Sequence, residues 1–300
     1  MLTRLLSFAA VSAVAVAGMT GCTANASGAL ECEAPLGPGV LSESVTLSST
    51  GGVPAISAAA SAEILSPQRS LIERAEDRST VASEGTIVAA NLAYFESVSG
   101  ELLEASPGFG TDNATELFLA TVDGGPILQG ILCAAPGDTV AVALPAEQSI
   151  GAVTTDGASL IAVAEIVAVY GGAASGPIRA LPSGFPAVVT DEQGRVGVVL
   201  PPQAAPAQPT SAVRIEGDGP VVAASSTVIG NVLTVGWDGT ELKNTWETGP
   251  ENLGTEEQVA QSGATFRAAL TGVPVGSQVV IIEPGDGGAR VSVIDVLAVI

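Results

Sequence analysis

Short runs rich in Val, Ile, Leu and Ala recur along this chain, each ended by Gly, Pro, Asp or Ser. TIVAANLAYF (86–95), DTVAVAL (138–144) and LIAVAEIVAVY (160–170) are β-branched and bounded by turn residues, so they predict strands. A second set follows: STVIGNVLTVGW (226–237), SQVVIIE (277–283) and RVSVIDVLAVI (290–300). Ahead of the middle strand of each set stands one short helix candidate, PILQGILCA (126–134) or ATFRAALTG (264–272). Several antiparallel strands with one short helix packed on a sheet face make an α+β unit.

The two sets are copies of each other. IERAEDRSTVASEGTIVAANL (72–92) aligns with AVRIEGDGPVVAASSTVIGNV (212–232) at an offset of 140. SGELLE (99–104) aligns with DGTELK (238–243), and GDTVAVALP (137–145) with GSQVVIIEP (276–284), both at 139. AVAEIVAVY (162–170) aligns with SVIDVLAVI (292–300) at 130, so the last loop is shorter in the second copy. Apolar stretches align easily one at a time, but four in order, with gaps only at turns, predict a tandem repeat. The domains expected are 43–172 and 184–300, joined by a Gly/Ala/Pro-rich linker over 173–183. PPQAAPAQP (201–209) reads as an extended crossing between strands.

Composition narrows the function. The net charge of -21 argues against nucleic acid, because phosphate binding needs clustered Lys and Arg. No histidine is present, which removes a His-based serine hydrolase and makes a zinc site implausible. The acidic turns TDEQGR and PGDGGAR have too few carboxylates at ligand spacing for a calcium loop. At the start, MLTR is basic, LLSFAAVSAVAVAG is apolar but too short to span a bilayer, and MTGC follows. Thr20 and Gly21 before Cys22 resemble a bacterial lipobox, although Met19 is a less usual first residue. Residues 1–21 are thus expected to be a signal peptide, Cys22 the lipidated residue, and 22–42 a tether to the outer face of the cell membrane. An ordinary signal peptide is the alternative. Asn25 and Asn113 match the glycosylation pattern by chance in a bacterial-type lipoprotein. The remaining cysteines, Cys32 and Cys133, read as a disulfide in an exported protein or else as two buried thiols.

Copy two reads VLTVGWDGTELKNTW, ALTGVPVGSQVVIIEP and VIDVLAVI; copy one reads LAYFESVSGELLEAS, GILCAAPGDTVAVALP and AEIVAVY. In order and spacing these resemble the V-x-Y-T-G-x-x-x-D-G-x-x-F-D-S-S, G-L-x-G-x-x-V-G-S, I-P-P and F-x-V-x-L motifs of FKBP-type peptidyl-prolyl isomerases. The arrangement looks like an actinobacterial surface lipoprotein with tandem FKBP-like domains. The resemblance implies, for each copy, a half-open antiparallel sheet wrapped around one short α-helix, with an apolar pocket between them. It also implies proline-containing polypeptide clients, catalysis by desolvation and twisting of an X-Pro amide, and no cofactor.

The family's pocket positions fall, in copy two, on Val232 (a tyrosine in the family), Leu242 (phenylalanine), Lys243 (aspartate), Phe266 (the tryptophan floor) and Ile294 (phenylalanine). In copy one they fall on Leu92, Leu103, Glu104 and Ile127, with Ala164 at the last position. The apolar body of the pocket survives in copy two, whereas its polar handles do not, and copy one lacks the aromatic floor. Phe266 therefore carries the candidate site, with plain helix-to-sheet packing as its alternative. Two functions follow: a surface-anchored isomerase of weak activity, or an inactive FKBP-like module that binds exported polypeptides. The two tryptophans, Trp237 and Trp246, flank the Asp-Gly turn. Trp237 is expected on the outer hairpin and Trp246 at the pocket's edge.

Overall fold

The computed structural model describes residues 32–50, 53–59, 64–111, 116–148, 158–191, 194–285 and 287–300. The expected signal peptide, Cys22, Asn25 and Asn113 lie outside the described residues. The first half contains α1 (Val40–Ser44), β1 (Thr46–Thr50), β2 (Val53–Ser57), β3 (Gln68–Glu73), β4 (Ile87–Glu96), β5 (Leu102–Ala105), β6 (Glu116–Leu119), α2 (Pro126–Ile131), β7 (Thr139–Leu144) and β8 (Leu160–Tyr170). The second half contains β9 (Ala187–Thr190), β10 (Val196–Val199), β11 (Thr210–Ile215), β12 (Val228–Gly236), β13 (Glu241–Asn244), β14 (Glu251–Asn252), α3 (Glu256–Gln261), β15 (Gln278–Glu283) and β16 (Arg290–Val299).

Both main sheets are antiparallel and share one strand order: β3-β7-β8-β4-β5, with β6 on β4, and β11-β15-β16-β12-β13, with β14 on β12. Their irregularities match as well. A register shift falls between Ala89 and Ala90 in the first sheet and between Ile229 and Gly230 in the second. Others fall at Leu71/Glu73 and at Val213/Ile215. A bulge re-aims the strand that carries it, so two sheets bulged at the same points curve alike. Beside β4, Leu92 N–H donates to the Ser106 hydroxyl at 2.8 Å; beside β12, Val232 N–H donates to the Thr245 hydroxyl at 2.7 Å.

Each sheet is covered on both faces and runs between two edge strands, β3 and β5 in the first and β11 and β13 in the second. β7 and β15 are buried at every position, around apolar runs at 140–144 and 279–282. On one face of the second sheet, Val228, Val232, Val279, Ile281, Ile294 and Val296 pack with Leu270 and Phe266. On the other, Leu233, Val235, Val280, Ile282, Val291 and Val293 pack under the β9–β10 hairpin through Val188, Val196 and Val198. The β1–β2 hairpin covers the first sheet in the same way through Leu47 and Ile56. Full burial of each such side chain is worth about 1.5–3 kcal/mol, so these hairpins are structural layers.

The helices differ from the expectation of one per copy. The first half has α1 in addition to α2, which occupies the expected stretch. In the second half only a 3-10 turn, Ala268–Leu270, forms within 264–272, and the α-helix lies earlier. Thr255 and Gln258 make a reciprocal capping box that starts α3, and Gly263, at φ +80°, stops it. Beyond that stop, Arg267 draws the chain into a tighter turn. It is fully buried and donates to the carbonyls of Gly254 (3.0 Å), Ala223 (2.9 Å) and Ser226 (2.7 Å), and to the Thr271 hydroxyl (3.2 Å).

Cys32 and Cys133 form a disulfide with Cα atoms 5.5 Å apart, tying the N-terminal lead to the residues after α2. The segment between the halves is held by the second one. Ala174 N–H donates to the Asp295 carboxylate at 3.0 Å, Ser175 N–H to the Gly276 carbonyl at 2.8 Å, and Ile178 bridges Ile215. The halves also touch directly, where Ile87, Tyr170 and Leu117 pack with Ile229, Leu297 and Ala298. Among the described residues no helix is long and apolar enough to cross a membrane.

Candidate functional site

Strand alternation builds a pocket on the inner face of the second sheet. On β12, Val232 and Thr234 point the same way; on β16, so do Arg290, Ser292 and Ile294. The register sets Val232 opposite Ile294 and Thr234 opposite Ser292. Thr234 also faces Lys243 on β13, and Gly230 faces Glu251 on β14. Phe266 reaches in from the turn that Arg267 anchors. The cavity so enclosed is about 250 Å³, lined by Val232, Thr234, Leu242, Lys243, Glu251, Leu253, Ala264, Phe266, Glu283, Arg290, Ser292 and Ile294. That lies just below the usual range for small-molecule sites, with room for one ring and its flanking amides.

All five positions carried over for the second copy therefore meet in one cavity. Phe266 is half-buried and packs against the apolar cluster while lining open space, so it serves both the core and the pocket. Ile294 and Val232 are buried walls, and Leu242, 59% exposed, stands at the mouth. Lys243 is paired with Glu251.

The residues that sequence reasoning missed are the polar ones. Glu283 is buried at the end of β15. It accepts hydrogen bonds from Thr265 N–H (3.0 Å), the Thr265 hydroxyl (2.5 Å) and Arg290 Nε (3.2 Å). The hydroxyls of Thr234 and Ser292 lie 3.0 Å apart, so one donates to the other and one O–H is left over. A signal for these existed. Thr234 and Ser292 are polar residues two positions from Val232 and Ile294, on the same faces as those apolar walls.

In the first half the corresponding residues join one apolar cluster. Leu92 is buried, and Leu103, Ile127, Tyr94 and Phe118 pack against the same cluster. Tyr94 stands opposite Ala162, as Thr234 stands opposite Ser292, so an aromatic ring occupies the place of a hydroxyl. Burial, with Glu116 and Glu104 nearby, raises the Tyr94 pKa above the ordinary phenol value. Glu104 is exposed at the cluster's edge. Trp246 is corrected: it packs with Trp237 beneath the β9–β10 hairpin, on the face opposite the pocket. Trp237 is fixed there by its Nε1–H, which donates to the Gln203 carbonyl at 2.9 Å. Alternation accounts for Trp237, which follows Leu233 and Val235 on the face opposite Val232.

No family model matches the chain, and neither does any curated protein. Among solved structures it is similar to the three FKBP domains of wheat FKBP73, with a TM-score of 0.32 and 13% identity over 78% of this chain and 94% of that one. FkpA from Escherichia coli gives 0.26 and 19% over 39% of this chain and 52% of that one. A putative peptidyl-prolyl cis-trans isomerase, FKBP12 from Mycobacterium tuberculosis, gives 0.23 and 20% over 32% of this chain and 86% of that one. Scores this low carry no weight for the chemistry, which rests on the pocket.

Proposed function

We propose that this chain is a peptidyl-prolyl cis-trans isomerase of FKBP type, of weak activity, whose working site is the pocket of the second half. The observation that supports the reading is the meeting of Val232, Leu242, Lys243, Phe266 and Ile294, drawn from four separate segments, around one small cavity. Rotation about an X-Pro amide crosses a barrier of roughly 18–20 kcal/mol set by amide resonance. A proline ring seated on Phe266 between Val232 and Ile294 leaves water behind, and the twisted amide, with less charge separation, is favoured over the planar one. The spare hydroxyl proton of the Thr234–Ser292 pair is placed to donate to the bound chain. The first half is then a scaffold with the same strand order.

The clients in this reading are exported, proline-containing polypeptides, met at the outer face of a membrane to which Cys22 is anchored by lipid. Metabolic labelling with a fatty acid should mark the wild-type chain and not Cys22→Ser; equal labelling would remove the anchor. The site itself is tested by the isomerisation rate of a short X-Pro peptide. The chain should accelerate it, and Phe266→Ala should lower that acceleration about tenfold, a change of about 1.4 kcal/mol. A rate identical with and without protein would sink the catalytic reading. The second reading, a binding module without turnover, is favoured by Lys243: its paired cation stands where the resemblance places an aspartate. Suppression of aggregation of an unfolded client, with no isomerisation, is its expected signature.

A further inference from the structure

The charged residues around the pocket are unevenly exposed. Of the two ion pairs, the anions are withdrawn and the cations are presented. The Glu283 side chain is 6% exposed against 46% for Arg290, and Glu251 is 33% exposed against 47% for Lys243. Glu283 already accepts three hydrogen bonds, so it has little capacity left for a ligand. Arg290 spends only Nε on that carboxylate, which leaves its two terminal nitrogens as further donors. The lip of this pocket thus exposes its two cations more than their partner anions, in a chain whose net charge is -21. Beyond about 8–10 Å the rest of that charge is screened at physiological salt, so the nearest groups decide what the pocket accepts.

We propose that Arg290 is a specificity residue that receives a carboxylate directly flanking the bound proline, so that the preferred substrates are Glu-Pro, Asp-Pro, Pro-Glu or Pro-Asp segments. This rests on the isomerase or binding reading of the same pocket. A guanidinium held by one carboxylate at Nε can take a second one on its terminal nitrogens, and two parallel charge-assisted bonds fix the geometry. The first half supplies the internal contrast. Its cross-strand pair at this register is Leu144 and Leu160, in the place of Glu283 and Arg290. Neither leucine side chain can receive a carboxylate.

The test is a binding titration of the full chain with fluorescent proline peptides that differ only beside the proline: Glu, Gln or Lys, before it or after it. On one side at least, the Glu peptide should bind about fivefold tighter than the Lys peptide, the upper range for a partly exposed ion pair, and high salt should erase the difference. The double variant Glu283→Leu, Arg290→Leu installs the apolar pair of the first half without leaving a buried charge alone. It should bring the Glu-to-Lys ratio to about one, whereas Arg290→Lys should retain part of the preference because it keeps charge without the fork. Equal affinity for Glu, Gln and Lys peptides overturns the specificity and leaves the pocket reading standing. If no peptide binds at all, both fall.

Discussion

At one register the second sheet carries Glu283 opposite Arg290, and the first carries Leu144 opposite Leu160. The neighbouring pairs diverge in the same direction, Thr234 and Ser292 against Tyr94 and Ala162. The strand order, the bulges and the covering hairpin are common to both halves, so the backbone is not what separates them. What separates them is the side chains: those that line a cavity in the second half at these positions are small or polar, and their counterparts in the first join an apolar cluster.

A second contrast runs the other way. At the turn before the middle strand the first half has Asp138, and the second has Ser277. Asp138 accepts from Ala75 N–H (2.8 Å) and Ala135 N–H (2.7 Å) and pairs with Arg78 at 2.6 Å, whose other nitrogen donates to the Cys133 carbonyl at 2.7 Å. Ser277 accepts a single bond, from Gly217 N–H at 2.9 Å. The first half is locked by a buried ion pair and a disulfide, the second by a hydroxyl and by close approach of the backbone at Gly217. A Cβ there would come within 2.2 Å of the Val275 carbonyl.

The largest expected effect breaks that contrast. Asp138→Ala leaves Arg78 half-buried without its partner and should cost the first half about 3–5 kcal/mol. Ser277→Ala should cost the second about 1 kcal/mol. Denaturant titrations of the two variants measure both, and equal losses would show that the two turns do the same work. Next, Arg267→Met should cost about 3 kcal/mol by orphaning three carbonyls and should weaken peptide binding, since the turn that aims Phe266 loses its anchor. A melting point unchanged in this variant would remove Arg267 from that role. Replacing Cys32 and Cys133 by Ser should cost about 2–4 kcal/mol, mainly by freeing the unfolded chain, with little effect on peptide binding in the second half.

The smallest effect compares two acids at the same register, the half-buried Glu165 and the buried Asp295. Burial raises the pKa of both above ordinary values. For Glu165, Gly110 N–H donates against that rise and Glu73 adds to it; for Asp295, Ala174 N–H, Gln278 and Arg214 oppose it. An acid whose pKa is raised on folding stabilises the fold below its unfolded value, and that contribution is lost as the pH climbs through the folded value. The melting-point advantage of wild type over Asp295→Asn should therefore shrink as pH rises from the acid range toward neutrality. A difference independent of pH would mean that Asp295 titrates as it does in the unfolded chain.

The β-branched runs, the repeat and the positions of Val232, Leu242, Lys243, Phe266 and Ile294 were all legible in the chain. Alternation and turn residues are local, and a repeat keeps its spacing. The helix in the second half was misplaced because ATFRAALTG is apolar enough for one, and the competition from Arg267 comes from carbonyls far away in sequence. Trp246 was misjudged for a related reason, since a residue beyond a bulged strand cannot be assigned a face by counting.

What the sequence determined by itself is the set of strands, their duplication and the apolar walls of one pocket, because these follow from hydrophobic periodicity. Only the tertiary structure decided that both sheets are covered twice, and that a cavity opens beside Phe266. It alone set Glu283 and Arg290 side by side at the pocket's end. Those outcomes depend on which side chains meet across strands, and on how much of each charge the fold leaves in water. Cross-strand partners are far apart in sequence, and exposure belongs to no residue alone.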